Sequence, residues 1–280
     1  MIGCLGNPTG TWEAAPTVTH IPPDPTATHR LFEHDRVAAG YASARPFLHP
    51  EVFARVRGLI GLPDPMHRAL DVGCGTGMSS VALLDLAREV VGVDVSVPML
   101  ERARRAERLH YLASTAEDLP FRDVSFDLVV ACGSIDWVDR DRFLPRAAEL
   151  LKNEGWLIPL DFGDTGRSPE MPDLQRWHEE ALQPALPAPA SQDPMVTSHE
   201  AARCGFDEPV HHTFEIQCRF TAPRYADFLM TESNVIAAVE YGERSATEIR
   251  GWLEAELSGL FEGETRAVTF GGYIQTLRKL

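Results

Sequence analysis

A short apolar run that breaks into three alternating glycines lies between Arg68 and Gly77. The run Ala69-Leu70-Asp71-Val72 precedes glycines at positions 73, 75 and 77, and apolar residues then recur at helical spacing from Met78 to Ala87. Glycine permits backbone angles closed to other residues and lets a ligand lie directly on the main chain. The free N–H groups at the start of a helix would face that ligand. The segment therefore predicts a strand, a tight turn and a helix that together hold a ligand.

An acidic residue follows the next apolar run of the chain. Val90 to Val93 is expected to form a second buried strand, and Asp94 ends it. In βαβ units, an acid about 20 residues beyond the glycines hydrogen-bonds a ribose hydroxyl. We therefore predict that the glycine turn and Asp94 bind a cofactor that contains adenosine. A glycine turn without any ligand is the alternative.

The spacing of the glycines discriminates between cofactors. The nicotinamide fingerprint G-x-G-x-x-G/A ends in a glycine or alanine. Started at Gly73 it would end on Met78, and started at Gly75 it would end on Ser80, so neither register fits well. The pattern from Asp71 to Gly77, DVGCGTG, instead resembles the first motif of the class I S-adenosylmethionine-dependent methyltransferases. That resemblance implies that Asp71, Gly73, Gly75 and Gly77 hold the methionine part of the cofactor and that Asp94 holds its ribose.

Two further stretches strengthen this resemblance. Ser96 to Leu100 matches the family's Ser-x-x-Met-Leu, with Ser96 as the expected N-cap of a helix, and Val95 and Met99 are included in the predicted cofactor site. Ser114 to Phe121 is similar to a stretch in which relatives have Asp-Ala-Glu-x-Leu-Pro-Phe. The resemblance implies that Thr115, Ala116 and Glu117 meet the adenine, although Thr115 stands where relatives have the acid.

Upstream of the glycines, Tyr41, Arg45 and Pro46 resemble the Tyr-x-x-x-Arg-Pro of a small-molecule subgroup that includes the trans-aconitate type. There the tyrosine and arginine lie over the carboxylate end of the cofactor, which implies the same role for Tyr41 and Arg45. The alternative is a tyrosine that packs on a helix and an arginine in a surface ion pair.

The fourth expected strand, Phe126 to Ala131, leads into the predicted transfer site. Ligands of doubly wound sheets bind beyond the carboxyl ends of the strands, so Cys132 and Trp137 are expected to line it. Relatives often have a histidine before the aromatic residue, where this chain has Asp136. We predict Asp136 and Trp137 as catalytic residues. Asp136 would accept a proton from the acceptor or, alternatively, cap the next helix.

The resemblance implies an α/β fold, a doubly wound, seven-stranded, mostly parallel sheet of Rossmann-like methyltransferase type with helical cap insertions. We expect a flexible arm over residues 1–28 and a methyltransferase domain over 29–280. Within the domain, the predicted parts are N-terminal helices (29–62), a cofactor-binding core (63–162), a lid-like insertion (163–197) and a helical cap (222–262). The last two strands should form a hairpin with the seventh antiparallel.

Composition limits the partners. The net charge of −15 argues against nucleic acid, and the arginine-rich stretch from Arg102 to Arg108 is expected to be a solvated helix face. Five scattered cysteines without a C-x-x-C pair predict neither zinc nor disulfides, so we expect no metal and a reducing cytoplasm. No apolar stretch predicts a membrane span or a signal peptide. A homodimer is compatible with the sequence.

The function predicted from the sequence is methyl transfer from S-adenosylmethionine to a small molecule by in-line displacement. The acceptor, and whether its oxygen, nitrogen, carbon or sulfur is methylated, are not readable from the chain. Two alternatives remain at this point. One is a repurposed member that binds the cofactor and acts as a cyclase or isomerase, or has no catalytic role. The other is a nicotinamide-dependent oxidoreductase.

Overall fold

The computed structural model describes residues 29–62, 64–242 and 244–280, and the predicted arm over residues 1–28 lies outside them. Seven strands pair into one sheet within the described part. In chain order they are β1 (Met66–Val72), β2 (Ala87–Asp94), β3 (Leu109–Ala113), β4 (Phe126–Cys132), β5 (Leu151–Arg167), β6 (Val210–Phe220) and β7 (Arg266–Arg278).

Helices connect these strands and cover both faces of the sheet. After a 3-10 turn (His29–Glu33), they are α1 (Asp35–Ala44), α2 (His49–Leu59), α3 (Met78–Leu83), α4 (Val97–Glu101), α5 (Arg140–Leu150), α6 (Asp173–Trp177), α7 (Ser198–Arg203), α8 (Ala222–Leu229), α9 (Ser233–Tyr241) and α10 (Ala246–Phe261). A π-helical turn, His178–Leu182, and a short segment, Gln183–Ala185, continue α6.

The order of the strands is β3-β2-β1-β4-β5-β7-β6. Strands β1 to β5 are parallel, and β7 lies antiparallel between β5 and β6. The predicted doubly wound, seven-stranded sheet is thus confirmed, as is the antiparallel seventh strand. The chain reverses its direction of travel across the sheet between β1 and β4, which opens a crevice at the carboxyl ends of these strands.

Each face of the parallel strands has its own apolar core. On one face, Val52 and Phe53 of α2 and Leu83 of α3 pack with inward residues of β1, β2 and β4. On the other, Phe143 and Leu144 of α5 pack against the same strands. Each of these side chains is fully buried or nearly so, and such burial contributes about 1.5–3 kcal/mol per side chain.

Two local predictions were wrong. The helix after the glycine turn ends at Leu83, because the chain must turn back before β2 begins at Ala87. The stretch from Arg102 to Arg108 is not a helix face, since α4 ends at Glu101. Arg102 instead forms an ion pair with Asp35, at 2.8 Å between Nη2 and the carboxylate.

The segment between β6 and β7 forms three helices, α8 to α10, where the sequence predicted one helical region. These helices share a separate apolar core with Trp177 of α6 and Phe270 of β7.

In the described residues, no helix has both the length and the apolar character needed to cross a membrane.

Candidate functional site

A cavity of about 660 Å³ opens at the carboxyl ends of the parallel strands. Its volume lies within the range of small-molecule and cofactor sites. Of the fifteen residues predicted for the site, twelve line this cavity: Tyr41, Gly73, Gly75, Asp94, Val95, Met99, Thr115, Ala116, Glu117, Cys132, Asp136 and Trp137. The other three are Arg45, Asp71 and Gly77.

The glycine turn forms the floor of this large cavity. The N–H groups of Gly73 and Cys74 both donate to the carbonyl of Val93, at 2.8 and 3.0 Å, and so tie the turn to β2. Gly75 has φ of +52°, and no heavy atom lies within 4 Å of the place its Cβ would occupy. The main chain is therefore bare at Gly75, where a ligand can contact it.

Gly77 has a different role, although it shares the positive φ. A Cβ at Gly77 would lie 2.0 Å from the Tyr111 hydroxyl, which donates a 2.7 Å hydrogen bond to the carbonyl of Arg104. Gly77 does not line the cavity. Its lack of a side chain allows α3 to begin against β3.

Asp94 lies at the end of β2 beside the glycine turn. Its Oδ2 accepts a 2.7 Å hydrogen bond from the N–H of Gly75, and its Oδ1 accepts one of 2.8 Å from the N–H of Ser96. Each oxygen has a second lone pair, which leaves both able to accept from a ligand hydroxyl. Ser96 also caps α4 as predicted, by accepting from the N–H of Met99.

Asp71 is fully buried behind the turn and does not line the cavity. Its Oδ2 accepts hydrogen bonds from the hydroxyls of Ser79 and Ser80, at 2.7 and 2.5 Å. Burial raises the pKa of Asp71 to about 6. The structure therefore shows Asp71 fastening the turn to α3, so any effect on a ligand is indirect.

The loop after β3 forms the wall opposite the glycine turn. Thr115, Ala116 and Glu117 all line the cavity there. Glu117 Oε1 accepts a 2.8 Å hydrogen bond from the N–H of Asp139, which joins this loop to the loop after β4. This hydrogen bond therefore ties the loops that follow β3 and β4 to each other.

The loop after β4 carries both residues predicted as catalytic. Asp136 and Trp137 line the cavity beyond Cys132. The alternative that Asp136 caps the next helix is wrong, because the N-cap of α5 is Asp139, whose side chain accepts from the N–H of Asp141. Burial, and then the nearby Asp161 carboxylate, raise the pKa of Asp136 to about 6. Asp136 is therefore free of capping and poised to bind a proton near neutral pH.

Tyr41 and Arg45 meet the site from α1. Arg45 Nη2 donates to the Tyr41 hydroxyl at 3.0 Å and to the carbonyl of Thr231 at 2.8 Å, and lies 3.0 Å from Glu232 Oε1. Arg45 lines a second cavity, of about 250 Å³, rather than the large one. The alternative of a surface ion pair does not apply, since only 19% of the Arg45 side chain is exposed.

The two cavities share a wall that includes Tyr41, His49 and Trp137. The second cavity extends from this wall to the carboxyl end of β5 and to α8 and α9. The residues that line it without having been predicted for the site include His49, Asp161, Phe162 and Glu232. Asp161 follows the buried apolar residues Leu157 to Leu160 within β5, at the same sheet edge as Cys132. Its place after an apolar run was the one sequence signal for it.

Phe32 was also missed. It lines both cavities, and its ring contacts those of Tyr41 and Trp137 edge-on, with centroids 5.8 and 5.6 Å apart. Its carbonyl accepts a 2.8 Å hydrogen bond from the Ser96 hydroxyl. The 3-10 turn thus closes one side of the site, and an isolated Phe before a helix gave no signal of this.

Other titratable groups lie away from the two cavities. His34, which precedes α1, lies with its Nε2 3.4 Å from Glu240 Oε2 and lines neither cavity. His178 Nε2 is 2.8 Å from the Tyr225 hydroxyl, which donates to Asp164 Oδ2. Among the described residues, no group of three or more His, Cys, Asp or Glu side chains is arranged to hold a metal ion.

Comparison with known proteins gives the sequence a context. Residues 70–158 match a family model described as a methyltransferase domain. An uncharacterized methyltransferase of Mycobacterium tuberculosis is 35% identical over 118 residues, which cover 42% of this chain and 46% of that protein. An O-methyltransferase of Aspergillus nomiae is 35% identical over 144 residues, covering 48% of this chain and 62% of that protein. The chain spans about half the length of the curated relatives it matches.

Among solved structures, a proposed type II methyltransferase from Anaeromyxobacter dehalogenans has a similar fold. The TM-score is 0.60 at 22% sequence identity, and the alignment covers 80% of this chain and 95% of that one. This likeness confirms the Rossmann-like methyltransferase fold.

Proposed function

We propose that this chain, whose residues 70–158 match a methyltransferase domain, is a class I S-adenosylmethionine-dependent methyltransferase and that it methylates a small-molecule acceptor. One observation carries the proposal. The large cavity joins the bare main chain at Gly75 and the Asp94 carboxylate to the loop that bears Trp137. A cofactor held at one end would therefore face an acceptor at the other.

The residues present fit the cofactor. The space above Gly75 is open, and both oxygens of Asp94 can still accept from ribose hydroxyls. Arg45 has a buried Nε without a hydrogen-bond partner, which is the donor that a carboxylate would satisfy. We assign the methionine end to Gly73, Gly75, Tyr41 and Arg45.

The rest of the cofactor would lie along the remaining walls. We assign the ribose to Asp94, with Val95 and Met99 beside it. We assign the adenine to Thr115, Ala116 and Glu117. Asp71 and Gly77 support this arrangement from behind the turn.

When bound, S-adenosylmethionine supplies a methyl group on a sulfonium, an electrophile that already carries a good leaving group. The protein then has three tasks: to align the acceptor, to exclude water and to accept a proton where the acceptor has one to lose. Phe32, Tyr41 and Trp137 close the junction of the two cavities. We assign proton acceptance to Asp136, with Trp137 and Cys132 as the walls of the transfer site.

The proposal is tested by calorimetry and by a transfer assay. The purified protein is titrated with S-adenosylmethionine, S-adenosylhomocysteine, NAD and NADP, and then incubated with S-adenosylmethionine and a panel of small acids, phenols and amines. Methylated product, detected by mass spectrometry, is expected from at least one class. Uptake of a nicotinamide cofactor in place of the sulfonium compound would overturn the proposal. Binding of S-adenosylmethionine without transfer to any acceptor would favour a repurposed, cyclase-like or non-catalytic member.

The partner is proposed to be a small molecule rather than nucleic acid, since the net charge of −15 would repel a polyanion. We keep the reducing cytoplasm as the proposed compartment. The cysteines of the described residues, Cys74, Cys132, Cys204 and Cys218, are all free thiols, as such a compartment requires.

A further inference from the structure

The second cavity is an acidic compartment. Three carboxylates line it, those of Asp136, Asp161 and Glu232, against one guanidinium, that of Arg45. Glu232 pairs with Arg45 at 3.0 Å. Within the described residues, neither Asp136 nor Asp161 has a cationic nitrogen within 4 Å, and the only hydrogen bond to the Asp161 carboxylate is from its own neighbour, the N–H of Phe162. Neither of these two carboxylates is therefore paired with a cation, although Arg45 lies near enough to offset part of the charge of Asp161.

The walls around these carboxylates are largely aromatic. The rings that line the second cavity are those of Phe32, Tyr41, Trp137, Phe162, Phe228 and Phe270. The face of such a ring attracts a cation, and the attraction grows where water is excluded. The Arg45 guanidinium already lies over the Tyr41 and Phe228 rings, 4.5 and 5.2 Å from their centroids, which leaves the other four rings for a ligand. Rings together with unpaired carboxylates form a setting that favours a positively charged organic group and disfavours an anionic one.

A buried polar atom without a partner also points to a ligand here. His49 lines both cavities, and its Nδ1 is buried with no hydrogen-bond partner. Burial, together with the charges of Arg104 and Arg45, lowers the pKa of His49 to about 3, so the imidazole is neutral. A neutral imidazole offers one nitrogen as a hydrogen-bond acceptor. An N–H donor in the cavity could satisfy it.

We propose that the part of the second cavity between Asp136 and Asp161, beside the Arg45 end assigned to the cofactor's carboxylate, binds the methyl acceptor, and that this acceptor is a small amine. This inference rests on the proposed function. An amine reacts through the lone pair of its neutral form, so the bound ammonium must first release one proton. That proton would pass from the amine nitrogen to the carboxylate of Asp136, which thereby becomes neutral.

The cofactor's own charge does not account for the acidic lining. S-adenosylmethionine carries a sulfonium, an ammonium and a carboxylate, and thus one net positive charge. The two unpaired carboxylates carry two negative charges, one more than the net positive charge of the cofactor balances. One further cation would balance the remaining negative charge. The competing explanation, that Asp136 and Asp161 serve the cofactor's ammonium, makes a different prediction for binding.

The test compares three probes of nearly equal size and different charge. The protein is saturated with S-adenosylhomocysteine and titrated by calorimetry with benzylamine, benzyl alcohol and benzoate at pH 7.5. Benzylamine is expected to bind about tenfold or more tightly than benzyl alcohol, with benzoate the weakest. The substitutions Asp161→Asn and Asp136→Asn are each expected to remove most of this preference while leaving the affinity for benzyl alcohol unchanged.

The matched control is Asp173→Asn, which removes an exposed carboxylate of α6 that pairs with Arg176 at 3.0 Å. It should leave the preference for benzylamine intact. Equal or reversed affinities, or no binding of any probe, would overturn the inference. So would variants that weaken S-adenosylhomocysteine binding while keeping the amine preference. Failure of S-adenosylhomocysteine to bind the unaltered protein would instead refute the proposed function, and the comparison on the unaltered protein holds even where a variant does not fold.

Discussion

The N–H of Gly75 donates a 2.7 Å hydrogen bond to the carboxylate of Asp94, 19 residues further along the chain. This bond joins the two sequence features from which the cofactor was predicted, and it fixes their geometry without a ligand. A carboxylate held in place in this way binds a ribose with little loss of side-chain freedom. Asp94 therefore both shapes the glycine turn and offers acceptors to the cavity.

Gly75 and Gly77, which both have positive φ, should respond differently to alanine. Gly77→Ala places a Cβ 2.0 Å from the Tyr111 hydroxyl and should lower the free energy of unfolding by about 2–4 kcal/mol. Gly75→Ala meets no atom within 4 Å and should cost about 1 kcal/mol, but it should reduce the affinity for S-adenosylmethionine at least about tenfold. Urea unfolding and calorimetry measure both effects. Equal loss of stability, or unchanged affinity in Gly75→Ala, would contradict this division.

The ion pair between Arg45 and Glu232 should stabilise the packing of α1 against the cap. Because both side chains are mostly buried, removal of either partner leaves a charge with little water and should cost about 2–4 kcal/mol. The double substitution to alanine should cost clearly less than the sum of the two. The control is Glu51→Ala, which breaks the exposed pair with Arg55 and should cost less than about 1 kcal/mol. Strict additivity of the two single changes would show that the pair does not interact.

The pH dependence of the reaction should report Asp136. The proposed base acts only when ionised, and its pKa is raised to about 6, so kcat/KM for an identified acceptor should fall as the pH drops below about 6. In Asp136→Asn, this acid limb should disappear together with most of the activity. Asp173→Asn should keep it. An unchanged acid limb in Asp136→Asn would exclude this residue as the group that titrates.

Asp164 should make the folded protein more stable as the pH falls. A carboxylate whose pKa is lowered by an ion pair has the opposite effect. Burial raises the pKa of Asp164 to about 6 from an ordinary value near 3.8, so the folded protein binds this proton more tightly than the unfolded chain does. The protonated form is favoured in the fold at low pH, and that contribution is lost as the pH rises through 6.

The unfolding free energy of the unaltered protein, relative to Asp164→Asn, should therefore increase as the pH falls from 7.5 to 5, by about 1.4 kcal/mol. The difference between the two proteins is the quantity to measure. His178 has its pKa lowered to about 4 by burial and destabilises the fold over the same range. Because it lies 3.4 Å from Asp164, both proteins should carry His178→Gln so that this contribution is absent from the difference. A difference that stays flat, or that decreases toward low pH, would contradict the assignment.

Local sequence patterns predicted the parts of the fold that depend on near neighbours. The strand, turn and helix around Gly75 follow from apolar spacing and glycine, and the Ser96 cap follows from a hydroxyl placed just before a helix. The alternative that Asp136 caps the next helix was wrong because local spacing does not fix a helix start so closely. The actual cap, Asp139, lies three positions further along the chain.

The second cavity could not be predicted, because it depends on contacts between distant parts of the chain. Arg45 bonds to Thr231 across 186 residues. Asp161 reaches the cavity only because β5 pairs beside β4, with Leu160 opposite Cys132. No periodic pattern indicates which cap helix will lie over which strand end, so Glu232 carried no signal.

The central claim is that the glycine turn and Asp94 together bind S-adenosylmethionine, and calorimetric titration of the unaltered protein and of Asp94→Ala tests it most directly. The unaltered protein should bind, and Asp94→Ala should bind about ten- to a hundredfold more weakly, since hydrogen bonds from ribose hydroxyls to a charged acceptor are lost. Thermal unfolding of both proteins confirms that the variant is folded. No uptake of S-adenosylmethionine by the unaltered protein, or equal affinity in a folded Asp94→Ala, would contradict the claim.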